Sequence, residues 1–270
     1  MMGRRATVSA LIFAGLAALA LLVSLRQWRA RGEPPAIPTA PPFTPWPTPP
    51  AATAFDFPLL PAHAYGPYIP GTSGPLAVDT RYGAQNPALG DRDNCFRDAA
   101  GHPAPFSQLY HAGLDLFALD AGGQVVWGWA AHQPVHAVAD GVVVFTLETA
   151  ADGVIIVEHF LPDGPPVYSV YWHVEDMQVQ PGQPVARGQV LAVVLDQGAN
   201  SHLHWEMRTF RDGSNLFPPD SAGAACNGHT AGVAYTWDDD PARAHPDFYG
   251  YLDPAAFVES RPGESPQSVE

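Results

Sequence analysis

The sequence contains no lysine: all 13 of its basic side chains are arginines, against 27 acidic ones. This absence excludes chemistry that requires a lysine amine, such as a Schiff base, a biotinyl or lipoyl carrier lysine, or a phosphate-binding P-loop. Residues 1–31 carry five arginines and no acid, whereas residues 32–270 carry eight arginines and all 27 acids, a net charge of −19. An acidic body of this kind repels phosphate, so we expect no nucleic-acid partner.

Cysteine is also scarce. The chain has only Cys95 and Cys226, and neither lies in a Cys-x-x-Cys pair. An exported domain would favour a disulfide between them, and the alternative is two buried free thiols. The 30 prolines and 25 glycines disfavour a helix-rich protein and favour many short strands and turns.

The N-terminal region predicts a membrane anchor followed by a spacer. After residues 1–5, which we expect to be cytoplasmic, the uncharged run 6–25 would span about 30 Å as a helix, the thickness of a bilayer core. A signal sequence, with cleavage after Ala18-Leu19-Ala20, is the alternative. Residues 26–75 are interpreted as a linker, because 34–50 alone contain nine prolines and favour an extended polyproline II conformation.

Residues 76–260 have the pattern of a globular domain, and 261–270 that of a disordered tail. Valine, isoleucine, tyrosine and tryptophan dominate short segments that glycine, proline and aspartate separate. These segments predict strands over Leu114–Ala118, Val125–Trp129, Val135–Ala137, Gly141–Leu147, Val154–Phe160, Val167–Trp172, Val190–Leu195 and Leu203–Arg208. Asp253-Pro254 predicts the capped start of a short C-terminal helix. The predicted fold is mostly β, an antiparallel sheet or barrel-sandwich-like core with long loops.

Two histidine motifs carry the chemistry. His111 and Asp115 are four residues apart and His202 and His204 are two apart, so on strands each pair can share a face. Two histidine nitrogens and one carboxylate oxygen, with one position left open, form a catalytic zinc site. Either motif alone is weak, because most such histidines are surface or core residues.

The order of the motifs resembles the M23 metallopeptidases, the lysostaphin or LytM-type family. His-x-x-x-Asp is followed by a strand ending in Tyr171-Trp172-His173, by the glycine-proline turn of residues 181–191, and by His202-Leu-His-Trp-Glu206. The resemblance covers residues 106–209 well. Relative to the family the chain has insertions at about 84–105 and 210–250, each with one cysteine, and a disulfide joining them beside the cleft is a hypothesis.

The resemblance implies that His111, Asp115 and His204 bind one Zn²⁺ and that His173 and His202 are catalytic, without deciding which of these two is the general base. Glu206 is either an acceptor for a ligand N–H or part of a structural salt bridge. The implied activity is hydrolysis of peptide cross-links in bacterial peptidoglycan by a monomer, anchored in the cell membrane by a single pass with its peptidase domain outside, or secreted if the N-terminal segment is cleaved. The alternative is a catalytically silent LytM-type module that regulates another wall hydrolase.

Overall fold

The computed structural model describes residues 48–74, 77–86, 96–98, 100–149, 152–211 and 234–262. The predicted membrane run at 6–25, the first part of the predicted linker, Cys95, Cys226 and residues 263–270 of the predicted tail lie outside these residues, and so does the hypothetical disulfide between the two cysteines. Within the described part of the chain, no helix is both long enough and apolar enough to cross a membrane.

The described residues form thirteen strands and one short α-helix, a mostly antiparallel β fold as predicted. The strands are β1 (Tyr65–Gly66), β2 (Tyr110–His111), β3 (Leu114–Ala118), β4 (Pro134–His136), β5 (Gly141–Glu148), β6 (Gly153–His159), β7 (Val167–Trp172), β8 (Val174–Glu175), β9 (Pro184–Val185), β10 (Val190–Val194), β11 (Leu203–Arg208), β12 (Tyr235–Thr236) and β13 (Tyr251–Leu252). Helix α1 covers Pro254–Glu259, and the Asp253 carboxylate accepts hydrogen bonds from its first backbone N–H groups, which confirms the predicted cap.

The main sheet has the strand order β1-β3-β11-β7-β6-β5-β9, and β13 pairs with the far end of β11. All pairings within it are antiparallel. A three-stranded sheet, β4-β10-β8, and the two-stranded pair β12-β2 complete the fold. The sheet therefore places β3 beside β11, the two strands that carry Asp115 and His204.

The central strands are buried on both faces. All six residues of β7 and all six of β11 are buried. Strand β7 is accordingly a nearly continuous apolar run. Strand β11 alternates apolar and polar residues, and its buried polar side chains, His204, Glu206 and Arg208, are hydrogen-bonded to one another. Ile155 and Tyr171 belong to the main core on one face of the sheet, and Val154 and Trp172 belong to a second cluster on the other face. Burial on both faces keeps β11 rigid, and so it can hold charged side chains in fixed positions.

The folded domain begins earlier than residue 76, its start as predicted from the sequence. Phe55 is 1% exposed and Leu59 is 1% exposed, and both lie in the main core. The backbone N–H of Phe55 also donates to the carbonyl of Arg261, next to α1. The residues from about Ala52 onward therefore pack against the domain instead of serving as spacer.

One predicted strand is wrong. Val125 forms only an isolated bridge with Leu119, and residues 127–130 form a turn, because Gly128 has a φ of +79° that interrupts an extended backbone. The Gly128 N–H donates to the Ala199 carbonyl, and Trp129 remains 72% exposed. This turn lies against residues 198–200, immediately before His202.

The described ends of the two predicted insertions pack on each other. Strand β12 pairs with β2 so that Tyr235 lies opposite His111. Phe96 and Trp237, one from each insertion, share a small hydrophobic cluster with Phe106. The described ends of the insertions therefore meet beside the strand that carries His111.

Candidate metal centre

The structure brings His111, Asp115 and His204 together. His204 on β11 lies directly opposite Asp115 on β3 in the antiparallel register, and His111 ends β2 just before. The His204 Nδ1 atom is 2.7 Å from Asp115 Oδ1 and 3.0 Å from His111 Nε2, and His111 Nε2 is 3.2 Å from Asp115 Oδ1. The three residues are 2%, 9% and 2% exposed, so three ligand atoms converge in a buried position.

Gly113, between the two motif residues His111 and Asp115, makes this approach possible. A Cβ atom there would lie 2.5 Å from the His204 ring and 2.7 Å from the Trp205 carbonyl oxygen, both far inside contact distance. The role of Gly113 was not predicted from the sequence, where its only signal is a glycine between two candidate ligands.

Hydrogen bonds outside the cluster orient both imidazoles. The carbonyl of Arg81 accepts from His111 Nδ1 at 3.2 Å, and the Glu206 carboxylate accepts from His204 Nε2 at 2.9 Å. Each bond places a proton on the outer nitrogen, and the inner nitrogen then presents its lone pair to the cluster. The role of the Arg81 carbonyl had no sequence signal, because any residue type supplies a carbonyl.

Glu206 fills both roles that the sequence left open. It is 0% exposed, holds His204 through one carboxylate oxygen, and accepts a hydrogen bond from Arg208, which is 2% exposed, through the other. Burial raises the pKa of Glu206, but the Arg208 guanidinium and the His204 hydrogen bond outweigh burial and lower it below its ordinary value.

The electrostatics of the cluster favour a cation at its centre. Burial raises the pKa of Asp115, but the charges of His111 and His202 and the hydrogen bonds from His111 and His204 outweigh it and hold that pKa well below its usual range. Burial lowers the pKa of His204, but its hydrogen bonds to Asp115 and Glu206 outweigh burial and raise the pKa to about 9. A proton or a metal ion can therefore occupy the space between these side chains.

The donor set fits zinc. Two imidazole nitrogens and one carboxylate oxygen are typical zinc ligands, and tetrahedral zinc with bonds of about 2.0–2.1 Å needs ligand atoms about 3.3 Å apart. The observed separations of 2.7–3.2 Å are close to this spacing. Among the described residues, these three are the only group of three or more possible ligands that converges in this way.

His202 lies beside the cluster on the same side of β11 as His204, as its spacing predicts. Its Nδ1–H donates to the Asn200 carbonyl at 2.6 Å, and its Nε2 lies 3.8 Å from Asp115 Oδ2. The ring stacks on Phe117 with 4.7 Å between centroids. Burial lowers the pKa of His202 to about 4, although the Asp115 charge opposes this shift, so the ring is neutral at neutral pH.

His173 completes the group that the sequence singled out. Its ring lies 4.8 Å from the His202 ring, at an interplanar angle of 69°. It follows β7 directly, with a φ of +59° that non-glycine residues rarely adopt. Tyr171, two residues earlier, is 0% exposed and belongs to the core.

A cavity of about 700 Å³ lies on the opposite face of β3 from this centre. Leu114 and Leu116 line it, and strand alternation directs Asp115, between them, away from it. Arg81 in its wall is already paired with Asp79 at 2.6 Å. The convergent ligand atoms therefore mark the chemical site better than the cavity does.

Comparison with known proteins supports the family resemblance. Residues 120–218 match the model of peptidase family M23, a range that includes His173, His202 and His204 and begins five residues after Asp115. No curated protein matches the chain.

Several solved structures are similar in part. A zinc-containing peptidase from Vibrio cholerae shares 20% identity over 47% of this chain and 36% of its own length, with a TM-score of 0.28. The catalytic domain of lysostaphin from Staphylococcus simulans shares 21% identity over 39% of this chain and 72% of its own length, with a TM-score of 0.28. CbpA from L. salivarius REN shares 17% identity over 77% of this chain and 96% of its own length, with a TM-score of 0.40. This chain thus spans about a third of the Vibrio peptidase. Residues 120–218, a little over a third of the chain, are thus similar to peptidase family M23.

Proposed function

We propose that the protein is a zinc-dependent endopeptidase that hydrolyses peptide cross-links of bacterial peptidoglycan. The observation that carries this proposal is the convergence of His111 Nε2, Asp115 Oδ1 and His204 Nδ1 within 2.7–3.2 Å of one another. The match of residues 120–218 to a peptidase family supports hydrolysis of a peptide, and the two further histidines beside the cluster supply acid–base groups.

His111, Asp115 and His204 would hold the zinc ion. Bound zinc supplies Lewis acidity, which polarises a substrate carbonyl and makes water nucleophilic at neutral pH. Asp115 contributes the negative charge that offsets part of the charge of the ion. The outer hydrogen bonds of the two imidazoles keep the ligand nitrogens aimed inward without further reorganisation.

His202 and His173 would move the protons of the reaction. The Nδ1–H of His202 is engaged by the Asn200 carbonyl, so its Nε2 is the atom able to accept a proton from water. The Nδ1 atom of His173 is engaged by Asp152, so its Nε2 is likewise the atom able to accept a proton, and once protonated it can donate to an oxyanion. Stacking on Phe117 fixes the plane of the His202 ring.

The proposal also places the protein at the cell membrane. The uncharged run at 6–25 would anchor the chain in the cell membrane with the peptidase domain outside, where peptidoglycan lies. Protease added to intact spheroplasts should remove the domain, and protection of the domain in those spheroplasts would contradict this location.

The experiment that tests the function combines metal analysis with digestion of purified peptidoglycan by the full-length protein. We expect one zinc per chain, release of peptide fragments, and loss of both in His204→Ala. His202→Ala should keep its zinc but lose about 10²–10⁴-fold in turnover. His102→Ala, at an exposed histidine outside the site, is the matched control and should behave as wild type.

A folded wild-type protein without stoichiometric zinc and without hydrolysis would contradict the proposal and favour the regulatory module instead.

A further inference from the structure

The His173 side chain is held by a carboxylate from another loop. Its Nδ1 atom lies 3.1 Å from Oδ1 of Asp152, the residue immediately before β6. The two side chains are 22% and 20% exposed. Two other imidazole–carboxylate pairs in the described residues, His132–Glu175 and His102–Asp98, have histidines that are 64% and 75% exposed. The pair at His173 is more buried than these two, and its histidine also contacts His202.

Hydrogen bonds from Thr149 and Gly153 hold Asp152 in place independently of His173. The Thr149 backbone N–H and hydroxyl both donate to the Asp152 carbonyl, at 2.8 and 2.9 Å, and the Asp152 N–H donates to the Thr149 hydroxyl oxygen at 3.0 Å. Oδ1 of Asp152 also accepts from the Gly153 N–H at 2.8 Å. These bonds set both the backbone and the rotamer of the aspartate.

Gly153 allows the two loops to come this close. A Cβ atom at Gly153 would lie 2.1 Å from the Val174 carbonyl oxygen, so a side chain there would push the residue after His173 away. The backbone of His173 is held from the other side, because its carbonyl accepts from the Leu195 N–H at 2.8 Å. The rare φ of +59° at His173 is thus maintained by contacts on both sides.

We propose that Asp152 is a positioning residue that fixes the tautomer and the ring orientation of His173. Accepting the Nδ1–H of His173, the carboxylate keeps the proton on that nitrogen and leaves Nε2 unprotonated on the other edge of the ring. The ring is thereby held against His202, 4.8 Å away, beside the metal centre. This role rests on the proposed hydrolase function, because it matters only where His173 transfers protons.

The test compares Asp152→Ala and Asp152→Asn with wild type in the full-length protein. Asp163→Asn, an exposed aspartate in the loop at the other end of β6 and β7, is the matched control. Peptidoglycan hydrolysis gives kcat and KM, and thermal unfolding reports the stability of each variant. The ¹⁵N signals of the His173 ring, assigned by their loss in His173→Gln, report its tautomer without any need for activity.

We expect Asp152→Ala to lower kcat by about 10–100-fold, with KM changed by less than about twofold. Its His173 ring should lose the pure Nδ1–H signature. Asp152→Asn keeps a carbonyl oxygen able to accept from Nδ1–H and should fall between Ala and wild type, and the control should match wild type.

A kcat of Asp152→Ala within about twofold of wild type would overturn the proposal, and so would a loss confined to KM. If Asp152→Ala fails to fold, Asp152→Asn decides by the same criteria. If the wild-type protein hydrolyses nothing, the proposed function fails, but the ring spectra still decide the positioning: an unchanged His173 tautomer in Asp152→Ala overturns it, and a changed one supports it.

Discussion

The substitution Glu206→Gln tests how the fold supports the metal centre. Glu206 is 0% exposed and lies between His204 and Arg208, which are both 2% exposed. The variant keeps the shape of the side chain and removes its charge. Arg208 then remains charged and buried with a neutral neighbour, although it still packs against the Tyr251 ring with 5.1 Å from its guanidinium carbon to the ring centroid.

Two magnitudes follow from this geometry. Removing one partner of a buried ion pair costs about 3–5 kcal/mol of unfolding free energy. At about 2–4 °C per kcal/mol for a domain of this size, Tm should fall by about 6–20 °C. Loss of the carboxylate that orients His204 should also weaken zinc binding by about 10–100-fold, because the outer partner of a metal-binding histidine fixes its tautomer.

Urea unfolding of the metal-free protein measures the first effect alone, and competition with a zinc chelator measures the second. The control is Glu158→Gln on β6, a half-buried glutamate that accepts from the Tyr168 hydroxyl and should cost about 1 kcal/mol with no change in zinc affinity. Adding Arg208→Met to Glu206→Gln should recover part of the lost stability, because the buried positive charge beside the neutral glutamine is removed. If Glu206→Gln unfolds at the wild-type urea concentration and binds zinc equally well, Glu206 neither balances Arg208 nor orients His204.

Two further predictions concern Gly113 and His159. Gly113→Ala would force a Cβ atom to within 2.5 Å of the His204 ring and 2.7 Å of the Trp205 carbonyl oxygen. The free energy of unfolding should therefore fall by about 1–3 kcal/mol, and stoichiometric zinc binding should be lost. Gly164→Ala, in an open loop, should change neither, and zinc retention by Gly113→Ala would refute the packing argument. Burial lowers the pKa of His159 to about 4, below its ordinary 6.5, so its contribution to stability is complete above pH 6.5 and is lost as the pH falls toward 4, by at most about 3 kcal/mol. Between pH 6.5 and 4.5, the free energy of unfolding of wild type should fall with pH more steeply than that of His159→Gln, by about 1.4 kcal/mol per pH unit. Urea unfolding measures both, and parallel curves would contradict this.

The sequence predicted the long strands because their packing leaves a composition signal. The apolar run of β7 and the alternation of His202 and His204 both correspond to the faces seen in the structure. The strand predicted over 125–129 failed because a single left-handed glycine, Gly128, outweighed the β-propensity of its valines and tryptophans. Phe55 was predicted to lie in a linker because the proline-rich composition around it does not indicate that its side chain is buried in the core.

The candidate site was predicted where its residues form local motifs, and not where it depends on distant contacts. His111, Asp115 and His204 converge as the motifs predicted, although His111 and Asp115 lie on separate strands, β2 and β3, rather than on one strand. Asp152 gave no signal, since it lies 21 residues before His173 in a loop of ordinary polar composition. A carboxylate that orients a histidine from another element becomes visible only when the register between β6 and β7 is known.

The zinc ligand set is tested most directly by anomalous diffraction at the zinc absorption edge, from crystals of the protein prepared with one equivalent of zinc. We predict one strong peak at about 2.0–2.2 Å from His111 Nε2, Asp115 Oδ1 and His204 Nδ1. A zinc peak bound elsewhere, or no peak at these three residues in the folded protein, would contradict it.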